Sequence, residues 1–174
     1  MDQPGSGQIP QPRYPNAQPA PRGNNRDLRG QVVTLYPFSE VGVVTPPGLD
    51  IRPFVYEFHL ALAQELSKAG LNVMSPEPGV PAQGYAITGR FVRFNPGSGW
   101  SWFFLGLLSY FIGGGAGIEA EGQIGDAQTP YGPLHQSMRL SSTMPGMRGY
   151  VMRRGSQTIA RKMAKQAIAI LKSR

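Results

Sequence analysis

Gly117-Ile-Glu-Ala-Glu-Gly-Gln-Ile-Gly-Asp126 alternates without a break, with Ile118, Ala120, Gly122 and Ile124 on one side and Glu119, Glu121 and Gln123 on the other. A period of two with one polar side describes an antiparallel strand that buries its opposite side. Upstream, Tyr85 to Phe94 is aromatic and β-branched and reads as a second strand. Downstream, Leu134 to Thr143 is a weaker candidate for a hairpin partner, with Pro130 to Pro133 as the turn.

Further out, Gln31 to Phe38 is β-branched and aromatic, and Pro37 ends it or marks an edge. Asp50 is then the expected N-cap of a helix carrying Pro53 in its first turn. Phe54, Phe58, Leu62 and Leu66 recur every four residues along it, and Gly70 stands where a left-handed stop is needed. Leu71 to Met74 is a short strand, which gives strand–helix–strand. A last helix is expected from about Ser156, with Ile159, Met163, Ala167, Ile170 and Leu171 as its apolar stripe. The expected fold is α+β: a mostly antiparallel sheet with two helices packed on one face.

The chain has 174 residues, 40% hydrophobic and 16% charged, with 23 Gly, 17 Pro and no Cys. That suits one domain of modest size. Without cysteine there are no disulfides, thiolate zinc sites, cysteine nucleophiles or Cys-borne lipid anchors in it. Residues 1–28 read as a disordered tail holding Pro4, Pro10, Pro12, Pro15, Pro19 and Pro21 among Gly, Gln and Asn. No secretory signal is read in them. A proline-rich spacer directly after Met1 looks like what remains once a signal is removed. Residues 29–174 form the expected single domain.

The net charge of +7 is uneven. Arg148, Arg153, Arg154, Arg161, Lys162, Lys165, Lys172 and Arg174 fall in one stretch without an acid. Of these, Arg161, Lys162, Lys165 and Lys172 make a basic face on the last helix. A solvated helix side is its ordinary explanation, although such a face also attracts anionic lipid or nucleic acid. Nucleic acid is not expected as a partner.

No enzyme signature survives inspection. His59 and His135 lie in different elements, outside any close-spaced ligand set, and read as structural or solvent-facing. Glu119 and Glu121 point to one side and superficially form a carboxylate pair, but their side of the strand is solvated. Gly115-Ala-Gly117-Ile-Glu-Ala120 has the spacing of a dinucleotide loop, which works only where a helix N-terminus follows. Here a strand follows. No phosphate loop and no serine-hydrolase elbow is present. Neither a cofactor, a metal nor a catalytic residue is assigned.

One stretch stands apart. Phe94 to Ile118 holds no charge, and its centre carries Trp100, Trp102, Phe103, Phe104, Leu105, Leu107, Leu108, Tyr110, Phe111 and Ile112, followed by Gly113-Gly-Gly115. Thirteen helical residues would span about 20 Å, short of a bilayer core of about 30 Å. It is therefore expected as an apolar insertion at about 99–114, leaving the sheet between two strands. Its readings are a contact with membrane or another subunit, a plug over the sheet, or the wall of a pocket for an apolar ligand or lipid, with Trp100, Trp102, Phe103 and Phe104 lining it.

Ala86-Ile-Thr-Gly-Arg-Phe91, Asn95-Pro-Gly-Ser98, Gly113-Gly-Gly-Ala-Gly117 and Glu119 to Asp126 together resemble a bacterial family of unknown function whose members are mostly predicted envelope lipoproteins. The resemblance covers roughly residues 30 to 172. It is more distantly similar to periplasmic domains of the curli-secretion channel lipoprotein. The resemblance implies a periplasmic or outer-membrane-associated protein; the aromatic stretch adds a membrane surface or envelope protein as the expected partner, with a homo-oligomer among the expected states. It implies no activity and no active-site residues. Two departures are the missing lipobox cysteine and the aromatic richness between Ser98 and Gly113. The reading that follows is a non-enzymatic envelope assembly or interaction module.

Overall fold

The computed structural model describes residues 27–45, 48–95, 117–126, 129–140 and 148–174. Its elements are β1 (Val32–Leu35), α1 (Arg52–Lys68), β2 (Asn72–Met74), β3 (Tyr85–Asn95), β4 (Gly117–Gly125), β5 (Pro130–Arg139) and α2 (Arg148–Lys172). The strands form one five-stranded sheet in the order β2-β1-β3-β4-β5. The fold class is α+β, as expected, but the sheet is mixed. Only β3, β4 and β5 run antiparallel; β1 is parallel to both of its neighbours. The cause lies in the strand–helix–strand unit itself, since a helical crossover returns the chain in the same direction.

Other boundaries also move. The strand β5 begins at Pro130, and the turn before it is closed by Asp126, whose N–H donates to Thr129 O (3.0 Å) and whose Oδ1 accepts from Thr129 N (2.7 Å). Two prolines are tolerated in β5 because it is an edge strand. His135 consequently sits within the strand rather than opening it. The helix α2 starts at Arg148, well before Ser156. Gly149 and Gly155 weaken the local helical signal, yet Gly155 lets the helix pack closely: a Cβ there would lie 2.7 Å from Leu140 Cδ2 and 3.0 Å from Ile118 Cδ1. Ile51, not Asp50, occupies the cap of α1, although Asp50 Oδ1 still accepts from the Arg52 N–H (3.1 Å). Gly70 does end that helix, at φ 91°.

Both helices cover one side of the sheet and lie against each other. Phe58, Leu62, Leu66, Ile159, Met163 and Ala167 meet Val33, Leu35, Ile87, Phe91, Ile118 and Ile124 in a single core. Through it runs a chain of phenylalanines: Phe38 to Phe58 at 4.8 Å, Phe58 to Phe91 at 5.0 Å, Phe91 to Phe94 at 5.8 Å and Phe94 to Phe54 at 5.4 Å between ring centroids. Such tilted and offset contacts add to the stabilisation from burial alone. Leu28 is 2% exposed and belongs to the core, while its neighbours Asp27 and Arg29 are exposed.

Candidate functional site

The solvent side of the sheet is ordered by charge. Arg90, Glu121 and His135 occupy directly opposed positions on β3, β4 and β5. Arg90 Nε donates to Glu121 Oε1 (2.7 Å), while Glu119 Oε1 and His135 Nε2 lie 3.0 Å apart. The two glutamates thus have separate partners and do not form a carboxylate dyad. With Arg93, Ser137 and Arg139, also exposed on β3 and β5, this side carries three arginines against two glutamates. Gly117 to Ala120 lies within β4, so no helix N-terminus follows the glycines of the apparent dinucleotide motif. Among the described residues no group of three His, Cys, Asp or Glu is placed to hold a metal ion.

The helical side carries two recesses. The first is an open groove of about 650 Å³ between α1 and the edge strand β2, lined by Leu35, His59, Leu60, Ala63, Val73 and Met74 among others. Gln64, Ser67, Lys68 and Ser75 add polar groups to this lining, and Leu60 and Met74 remain 42% and 38% exposed. His59 Nδ1 is buried there without a hydrogen-bond partner among the described residues. Burial disfavours the imidazolium and lowers the His59 pKa from its ordinary value.

That shift has a stability consequence. The unfolded chain takes up a proton near pH 6.5, whereas folded His59 does so only at lower pH, so the unfolded state binds more protons between the two values. Stability should therefore fall as the pH drops below about 6.5 and level off once folded His59 is itself protonated. Urea unfolding at about pH 7 and pH 5.5 will show this loss, and His59→Gln should reduce it. An unchanged pH dependence in the variant would mean that His59 does not carry it.

The second recess, about 400 Å³, lies on α2 and is bounded by Tyr150, Arg153, Arg154, Gln157, Thr158 and Arg161. Tyr150 is 59% exposed. Arg153 approaches Glu57 of α1 (3.5 Å), which also accepts from Gln157 Nε2 (3.0 Å). Arg161 lies 3.8 Å from Glu65, which Lys68 also contacts at 2.8 Å. The Lys68 hydrogen bond, with Arg161 and Lys165 nearby, holds the Glu65 carboxyl below its usual range. These exposed pairs contribute little to stability but fix how α1 and α2 share their charges.

Arg161, Lys162, Lys165 and Lys172, the residues of the expected basic face, are exposed on α2. Tyr150, Arg153 and Arg154 extend it, and the sequence reading missed them as part of a site. Their spacing of three and four residues is the available signal, and it lies upstream of the helix start expected at Ser156. The expected contact residues Trp100, Trp102, Phe103, Phe104, Leu105, Leu107, Leu108, Tyr110, Phe111 and Ile112 lie outside the described residues. Among the described residues no helix is long and apolar enough to cross a membrane.

No protein-family model matches the chain, and no curated protein does. Solved structures do. A PelC dodecamer from Paraburkholderia phytofirmans aligns at TM-score 0.49 and 11% identity over 78% of this chain and 86% of its own. A minor lipoprotein from Acinetobacter baumannii aligns at TM-score 0.44 and 12% identity over 80% and 93%. A Xanthomonas campestris protein of family DUF330 aligns at TM-score 0.56 and 11% identity over 87% of this chain and 90% of its own, and with that bacterial protein this chain shares its fold.

Proposed function

We propose that the protein is a non-enzymatic module of the bacterial cell envelope that contacts a membrane surface or another envelope protein through the aromatic segment Trp100–Ile112. The observation that carries this reading is the register of β3 and β4. The two strands pair up to Asn95 opposite Gly117, the residues on either side of 96–116. Closing an antiparallel pair there needs only a two- to five-residue turn. The sheet therefore has no need of the uncharged stretch, and long insertions in compact domains are usually either functional or linkers; ten large apolar residues do not suit a linker. Tryptophan, tyrosine and phenylalanine suit a boundary between water and an apolar phase. The resemblance to predicted envelope lipoproteins supports the location.

Replacing residues 99–114 by an Asn-Gly-type turn is the test. The shortened chain should keep its melting temperature to within a few degrees and lose flotation with liposomes or its higher oligomers on a sizing column. Unfolding would instead make the segment part of the core. A folded variant with every association intact would remove the reading altogether.

A further inference from the structure

Among the described residues, charge is mixed on the sheet side and dominated by cations on the helical side. The helix α2 carries Arg148, Arg153, Arg154, Arg161, Lys162, Lys165 and Lys172 without one acidic residue. Its opposite stripe, including Met152, Ser156, Ile159, Met163, Ala167 and Leu171, is sunk in the core, so the helix cannot rotate to hide the cations. The facing helix offers only Glu57 and Glu65, which are engaged by Arg153, Arg161 and Lys68. Arg154, Lys162 and Lys172 are exposed and have no acidic partner among the described residues. Exposed amphipathic or apolar groups stand on the same two helices: Tyr150 on α2 at 59%, and Tyr56 and Leu60 on α1 at 67% and 42% exposure.

We propose that the outer surface of the α1–α2 layer docks on a bilayer carrying anionic phospholipid headgroups, with a headgroup phosphate received in the recess between Tyr150, Arg154 and Arg161. The combination fits a lipid surface on three counts. Basic side chains near an anionic membrane each contribute to attraction within a Debye length. Tyrosines place a ring at headgroup depth and a hydroxyl in water. Moreover, two helices side by side on a sheet present a broad low surface, whereas a nucleic-acid duplex is usually read by an element that enters a groove. This inference does not depend on the role given to residues 99–114.

Sedimentation of the full chain with phosphatidylglycerol-containing vesicles, against pure phosphatidylcholine vesicles, tests it. Binding should require the anionic lipid and weaken about tenfold or more as salt rises from about 50 to 500 mM. The double variant Arg154→Glu/Lys172→Glu should lose about tenfold or more in affinity, with an unchanged circular dichroism spectrum. The control Arg93→Glu/Arg139→Glu, which alters net charge equally on the sheet side, should bind as the parent does. Equal loss in both variants would reduce the effect to net charge and overturn the docking surface. Equal binding to both vesicle types would assign attachment to apolar contacts alone. Tight salt-sensitive binding of duplex DNA, without binding to anionic vesicles, would replace the lipid by a nucleic acid.

Discussion

Replacing Met163 by aspartate is expected to cost about 3–5 kcal/mol of folding free energy, or to abolish folding outright. Met163 has no exposed surface and lies one turn from Ile159 and Ala167, both equally buried. A carboxylate placed there must lie unpaired among apolar groups or carry a proton at neutral pH, and either state disfavours the folded chain. Its sequence neighbours give the contrast. Lys162 and Lys165 are exposed, so Lys162→Glu should change stability by about half a kcal/mol or less. Lys165→Glu should cost slightly more, because Lys165 helps to hold the Glu65 carboxylate in its charged form. Urea unfolding of the three variants measures the difference. Lysine variants that unfold beside a stable Met163→Asp chain would mean that α2 is rotated from the arrangement described.

How much of this was legible in the sequence depends on where each signal resides. Strand β4 and helix α1 were readable because one buried side writes a period of two or of about four into consecutive residues. The parallel half of the sheet was not, since no local pattern records that β1 sits between β2 and β3. The start of α2 was obscured by the weak helical propensity of Gly149 and Gly155, of which only Gly155 is packed, against Leu140 and Ile118. The basic face of α2 was visible as composition; its recess was not, because that required the correct helix start. The groove at β2 could not be read at all. It joins Leu35, His59 and Met74, which are distant in the chain and meet only through the crossover.

The glycine pair at the centre of the sheet should be nearly as sensitive as Met163. Gly89 and Gly122 face each other across β3 and β4. A Cβ added at Gly89 would lie 2.3 Å from Phe38 Cε1 and 2.6 Å from Glu121 O. One added at Gly122 would lie 2.3 Å from Thr88 O. Phe38 is 3% exposed and held between Phe58 at 4.8 Å and Phe91 at 6.1 Å, so its ring cannot simply turn aside. Each Gly→Ala change should therefore cost about 1–3 kcal/mol, more than the gain of up to about 1 kcal/mol from a stiffer unfolded chain. The two sites should respond differently to relief. Phe38→Leu removes the ring that Gly89→Ala meets, so that double variant should be more stable than the sum of its single losses predicts. The same Phe38 change should do little for Gly122→Ala, whose obstacle is a backbone carbonyl fixed in the β-ladder. Thermal or urea unfolding of the two double-mutant cycles decides it. Simple additivity in the Gly89 cycle would show that the ring is not what excludes a side chain there.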